Sequence, residues 1–229
     1  MAYRFFTFLV IVACLFAGCA ESLQWSKKHP AYNKAPYTEL ALAGAQNAFV
    51  LTRTRWFASR LEVPVDSIQI RGTEFCSQAL IKELKRAYTK LNVLPSNALA
   101  NFAEESQKLD DRIFMRGKLP EQGIALKDSA QNTPEQILII HEVIVGTDLK
   151  REDYFDFSLM HNESKEKGPA QNISAIVSYT LWDNIKQRPL FSAVDEIQHP
   201  VSTLKWSDLE SLIHKMVSEI RKNLYQGAK

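Results

Sequence analysis

Gln136-Ile137-Leu138-Ile139-Ile140-His141-Glu142-Val143-Ile144-Val145 decides the fold. The run is almost continuously apolar and β-branched, too short for a membrane helix, and without the alternation of a half-exposed strand. Such a pattern suits a central strand covered on both faces. His141-Glu142 is its only polar interruption.

Downstream the chain continues as strands. Tyr154 to Met160 alternates aromatic with acidic or polar residues, and His161 to Gln171, with Gly168 and Pro169, reads as a flexible turn. From Ile173 to Trp182 the residues Ile173, Ala175, Val177, Tyr179 and Leu181 share one face. Asp183 to Gln187 forms a hairpin tip, and Pro189 to Glu196 returns, with Pro189 suited to an edge or a strand start. Ser207-Asp208-Leu209-Glu210 has the form of a capping box. Leu209, Leu212, Ile213, Met216, Val217, Ile220 and Leu224 then make one apolar helical stripe, to pack on the sheet or on a partner helix.

Upstream, Ala98 to Asp110 is expected as a helix, followed by loop from Gly117 to Thr133, and Asn92 to Pro95 as a short extended piece. A helix capped at Thr73 carries Phe75, Ala79, Leu80, Leu84, Ala87, Tyr88 and Leu91 on one face. Val65 to Arg71 alternates and reads as a strand ended by Gly72. Ala48 to Phe57, with alternating Thr and Arg, reads as another strand, and alanine-rich Leu40 to Ala48 is compatible with a helix. The expected class is therefore α/β (α+β): a single mixed sheet of about five to seven strands flanked by about three helices.

The amino terminus carries an export signal. Arg4 is its basic start, Phe5 to Ala17 is apolar but for Thr7, and small Ala17 and Gly18 precede Cys19. The apolar run falls short of the roughly 20 residues that span a bilayer. Leu15-Phe16-Ala17-Gly18-Cys19 resembles the lipobox of bacterial lipoproteins, with Phe16 where Leu is usual. The resemblance implies a thioether-linked diacylglycerol on Cys19, cleavage before it, and acylation (palmitate or a similar chain) of the new terminus. An ordinary secretory signal cut near Ala20 and a retained span are the alternatives. Ala20, in place of the Asp that favours inner-membrane retention in Gram-negative envelopes, implies an outer-membrane lipoprotein facing the periplasm.

The implied organisation is a signal peptide at 1–18, the lipidated Cys19 and a linker at 19–37, and one α/β periplasmic domain at 38–229. Glu21 to Tyr37, with Lys27, Lys28, Pro30, Lys34 and Pro36, reads as the tether. The remaining chain of about 210 residues is enough for a proper core.

Composition is that of a globular protein, 45% hydrophobic and 24% charged, with a net charge of +2. Nothing in it calls for nucleic acid. With Cys14 lost and Cys19 lipidated, Cys76 has no intramolecular partner, so stability rests on packing. A small buried residue is the expected role of Cys76.

Chemistry is sparse. The sequence holds no phosphate-binding Gly-rich loop and no Gly-x-Ser-x-Gly elbow. The five histidines lack ligand spacing, so no metal, cofactor or catalytic residue is assigned and the chain is read as a non-enzyme. His141-Glu142 is the one suggestive pair, against the plainer reading of a hydrogen-bonded strand histidine. Adjacent Glu104-Glu105 and Asp110-Asp111 read as solvated. Arg53, Arg55, Trp56 and Arg60 cluster, either to contact an anionic glycan, lipid headgroups or an acidic partner, or as a half-exposed strand face with Trp56 inside. Trp182 beside the hairpin tip is a second candidate partner contact.

The order of elements, with a helix over Ser77 to Leu91 before a short strand and a hairpin over Val177 to Val194 before the last helix, resembles envelope lipoproteins related to the curli secretion component and the penicillin-binding-protein activator. The resemblance spans about two-thirds of the chain and transfers no functional residue beyond Cys19. It implies a membrane-held domain that docks onto an envelope protein. A ligand- or lipid-transport accessory and a hydrolase of envelope glycan or peptide, using Glu142 or Asp156, are the other readings. A deep apolar pocket would mark the carrier, convergent polar groups in a cleft the enzyme, and a convex apolar or aromatic patch the docking module.

Overall fold

The computed structural model describes residues 25–33, 39–109, 114–151, 154 and 172–225. Cys19, Asp110-Asp111, the expected strand beyond Tyr154, Asp156 and the turn at 161–171 lie outside them.

The long apolar run is the middle of the sheet, as its composition requires. It forms β7 (Gln136–Thr147), paired antiparallel with β8 (Asn172–Asp183), which pairs antiparallel with β9 (Arg188–Pro200). β1 (Trp25–Lys28) closes one edge against β9. On the other side, β2 (Glu39–Ala43) lies parallel to β7 and carries β4 (Lys90–Val93) at the far edge. β3 (Phe49–Leu51) also pairs parallel with β7, beyond β2. This seven-stranded mixed sheet, order β1-β9-β8-β7-β2-β4 with β3 beside β7, is the expected α+β architecture.

Among the described residues, three helices cover one face: α1 (Thr54–Leu61), α2 (Val65–Ala87) and α3 (Trp206–Tyr225). Leu138, Ile140, Val143, Val177, Tyr179 and Leu181 meet Leu80, Leu84, Leu212, Ile213 and Met216 in the main core. The opposite face is covered by a second small sheet, the hairpin of β5 (Glu104–Lys108) and β6 (Phe114–Lys118), together with loops. Two smaller clusters form there, one around Ile137, Ile139, Leu126 and Trp182, the other around Trp25, Met115, Ile144 and Ile176. Both faces of β8 are therefore buried, the second by residues outside the shared face of Ile173, Ala175, Val177, Tyr179 and Leu181.

Several local expectations are corrected. Val65–Arg71 is the first part of α2, not a strand. Of its apolar residues only Ile68 is buried, while Val65 and Ile70 face solvent, and the burial of Ile68, Gly72, Cys76, Ala79, Leu80 and Leu84 follows the helical period. Gly72 does not end a strand; a Cβ there would meet Leu51 Cδ2 at 2.6 Å, so glycine lets the helix press against β3. Thr73 lies inside the helix, its hydroxyl donating to the Phe49 carbonyl. The strand expected over 48–57 stops at Leu51. Arg53 then turns left-handed (φ 52°) and α1 begins, while Leu40–Ala43 is strand rather than helix.

The helix expected at 98–110 is absent: a turn leads into β5, whose side chains are mostly exposed and polar. Its apolar residues Leu99, Phe102 and Leu109 are nevertheless buried, in the two clusters under the hairpin. Gly117 lies within β6 rather than breaking the chain. The last helix starts at Trp206, two residues before the place the capping box implied. Asp208, not Glu210, reaches back, accepting from the Lys205 amide at 2.7 Å.

Part of the segment expected as a linker belongs to the fold. Trp25–Lys28 is part of the sheet, and Tyr32 stacks on Phe191 at 5.5 Å and donates to the Leu224 carbonyl at 2.7 Å.

Candidate functional site

The polar pair inside β7 creates an irregularity. The β7–β8 register shifts between Ile140 and Glu142, so His141 is the extra residue of a β-bulge. A bulge sets two residues against one, which turns two successive side chains to the same face. Ile140 and Val143 stay in the helix-side core, while His141 and Glu142 both face the hairpin layer. The bulge thus keeps both polar residues out of the main core.

Opposite it, β2 ends and β3 has not begun. Gly44 (φ +82°) turns the chain so close to β7 that a Cβ would meet the Ile140 carbonyl oxygen at 2.2 Å, and the Ala48 carbonyl accepts from the Val143 amide where pairing resumes. The gap opens a cleft of about 570 Å³, lined by Gly44, Asn47, Leu99 and Ala100 and by the charged groups Glu104, Arg116, Lys118 and Glu142.

The cleft's acid–base groups are held in particular states. His141 Nε2 bonds Thr180 Oγ1 at 2.9 Å, and Nδ1 is covered with no partner among the described residues. Gly117 lies against the ring, where a Cβ would come within 2.3 Å of Nδ1. Burial pushes the imidazole down to a pKa of about 4, so it is neutral at physiological pH. Burial, with the nearby Glu104 charge, raises the Glu142 carboxyl; Arg116 opposes the shift.

From His141 a line of hydrogen bonds crosses the sheet: Thr180 Oγ1 to Ser192 Oγ at 3.0 Å, then Ser192 Oγ donating to Gln107 Oε1 on the hairpin at 3.0 Å. It ends in a second depression of about 600 Å³ between the β1–β9 edge and the hairpin. Lys27, Lys28, Lys108 and Arg188 line it, with Glu105 and Glu121. Lys28 Nζ sits 6.0 Å from the Phe191 ring centre.

On the helix side, Tyr179 Oη and Asn223 Nδ2 both donate to Asp195 Oδ2 at 2.8 Å, a buried triad that joins β8, β9 and α3. Burial raises the Asp195 carboxyl despite both bonds. Cys76 is buried in α2, its thiol pushed up to about 12 by desolvation, which suits packing rather than reactivity.

The residues singled out in the sequence are not brought together. Arg53, Arg55 and Trp56 sit at the start of α1, Arg55 exposed and Trp56 half-buried edge-on to Phe57 at 5.1 Å. Trp182 is 3% exposed on the opposite face of the sheet, so it is not the surface aromatic its place beside the hairpin tip suggested. Glu104 and Arg116 were not legible as cleft residues. They reach it through the pairing of Glu104 with Lys118 across the β5–β6 hairpin, which has weak strand patterning. The bulge itself had one signal, two polar residues in succession within an apolar strand.

No helix among the described residues is long and apolar enough to cross a membrane. No family model and no curated protein matches the chain. Two solved structures align along most of it. The PelC dodecamer from Paraburkholderia phytofirmans in space group P6 aligns at 14% identity over 86% of this chain and 94% of that one, with a TM-score of 0.37. A single-substitution variant of that dodecamer in space group C2 aligns at 13% identity over the same shares, with a TM-score of 0.34. At such identities and scores, nothing about this chain's role follows from either.

Proposed function

We propose that the chain is a lipid-anchored cell-envelope protein, most simply of the outer membrane facing the periplasm, whose α+β domain is a non-enzymatic docking module for an envelope protein complex. The observation that carries this reading is the place of β1. Cys19 stands only six positions before Trp25, which is buried in the sheet against Val194. At ~3.3 Å per residue, the acylated sulfur lies within about 20 Å of the sheet edge. An anchor so close confines the domain to a thin layer beside the bilayer, where effective concentration favours a neighbouring envelope protein without any new contact.

The states of the reactive groups support the non-enzymatic part. A neutral, sealed imidazole and a buried thiol titrating near 12 are poor proton carriers and nucleophiles at physiological pH. The raised Glu142 carboxyl, facing Arg116 and Glu104 in an open cleft, is the one observation favouring a hydrolase. Hydrolysis of envelope glycan or peptide by the purified chain that is lost in Glu142→Gln with folding and partner capture intact speaks for the hydrolase; capture of a partner by a chain that hydrolyses neither speaks for docking.

The anchor is tested by changing Cys19 to Ala and feeding cells an alkyne fatty acid. Labelling should vanish; labelling that persists at full strength removes the lipidation. Crosslinking in cells followed by mass spectrometry should recover an envelope protein, and recovery of none above background counts against docking.

A further inference from the structure

The depression beside β1 carries a charged rim over a partly buried wall. Four cations, Lys27, Lys28, Lys108 and Arg188, line it against two carboxylates, Glu105 and Glu121. Its wall also holds covered nitrogen donors with no acceptor among the described residues: Trp182 Nε1, Gln107 Nε2 and Arg188 Nε. A buried donor left without an acceptor costs free energy, about 1–3 kcal/mol for each. Those donors are themselves covered; the cations above them, which outnumber Glu105 and Glu121, are the part of the groove complementary to an anionic oxygen-rich group. Their chain neighbours explain where that group would come from. Lys27 and Lys28 follow Trp25 in β1, so they stand eight and nine positions after Cys19, within about 30 Å of the acyl chains at ~3.3 Å per residue.

We propose that this groove is a docking surface for the phosphate headgroups of an anionic bilayer, so that the β1–β9 edge and the hairpin lie against the membrane and the helical face is turned away. The inference rests on the anchored reading above and deepens it: the acyl chains supply the hold, and the groove supplies orientation. One chain or one charge cluster alone holds weakly, and two signals together hold a domain in a defined pose. Lys28 points to the opposite face of β1 from Lys27, over the Phe191 ring of the helix-side core, so its ammonium stands at the sheet edge beside the groove. The far side of the molecule, with α2 and α3, is left facing outward for a partner.

The test uses the full chain as its producing cell processes it, added to vesicles of phosphatidylcholine alone or mixed with phosphatidylglycerol. Flotation reports attachment. An amine-acylating reagent with residue-by-residue mass spectrometry reports exposure of each lysine. Lys27 and Lys28 should become about fivefold less reactive on phosphatidylglycerol vesicles only, the equivalent of about 1 kcal/mol per cation at an anionic surface. Lys85 and Lys222 on the helices should not change. The protection should shrink at about 1 M salt and in the Arg188→Gln chain.

Flotation with both vesicles but equal reactivity of Lys27 and Lys28 overturns the headgroup surface and leaves the anchor standing. Flotation and protection only on phosphatidylglycerol vesicles supports the headgroup surface and removes the anchor. Flotation with neither overturns both. Equal protection by inorganic phosphate without vesicles makes the groove a site for free phosphate and overturns its assignment to a bilayer.

Discussion

His141 shows how one residue sets a local pH response. Its imidazole is kept neutral by burial, with a pKa lowered from 6.5 to about 4. On acidification the unfolded chain takes up this proton first. Between pH 6.5 and about 4, stability therefore falls as pH falls, by on the order of 3 kcal/mol for this group; below both values the contribution stays constant. Raised carboxyls act in the opposite sense. Asp195 and Glu142 hold protons longer in the folded chain and favour it as pH drops towards their unfolded values. In His141→Gln, urea unfolding followed across that window should show a flatter acid limb than the unaltered chain. Parallel limbs would mean that the folded chain does not exclude the proton.

Elements formed where periodicity and packing agreed. α3 has a single apolar stripe, and Leu209, Leu212, Ile213, Met216, Ile220 and Leu224 are all buried against the sheet. Leu212→Ala should cost about 2–5 kcal/mol, measured as the fall in unfolding free energy, because the cavity sits between two rigid layers. A cost below about 1 kcal/mol would place the helix on a looser surface than the one described. The loss of Trp25 belongs to the same scale but differs in kind. β1 is an edge strand of four residues, held by pairing to β9, by Trp25 under the Arg151 guanidinium at 5.6 Å and by the Tyr32 contacts that follow. Trp25→Ala should leave global unfolding nearly unchanged while amide exchange in Ser26 and Lys27 rises, since edge elements open independently. Exchange that stays slow would show that pairing alone holds the strand.

For the whole molecule, the proposed anchoring makes the distance from Cys19 to the sheet the quantity of interest. Inserting about ten Gly and Ser residues between Cys19 and Trp25 adds a flexible span of roughly 15–20 Å. Under the proposed docking, acylation and unfolding free energy should be those of the parent chain, while crosslinking to whichever envelope protein the parent chain captures should fall. Full crosslinking with the longer tether would show that confinement to a thin layer is not what the partner requires.

Much of the architecture was legible in the chain itself. The apolar run at 136–145, the hairpin around Asp183–Gln187 and the stripe from Leu209 to Leu224 each encode their state locally, because one period or one turn signal suffices. Cys19 and its lipobox-like context are likewise readable only as sequence. The failures share a cause. Val65–Arg71 alternates by accident, and only its continuation to Ala87 against Leu51 makes it helix. Residues 98–109 have apolar residues at helical spacing, but these are shared between two clusters on the far face. β1 looks like linker because four residues cannot announce an edge strand without the β9 that pairs with them. The cleft at Glu142 and the basic groove at Lys27 and Lys28 were decided by tertiary structure alone. Each joins segments far apart in the chain, and the free energy that brings them together comes from burying surfaces whose partners no local pattern names.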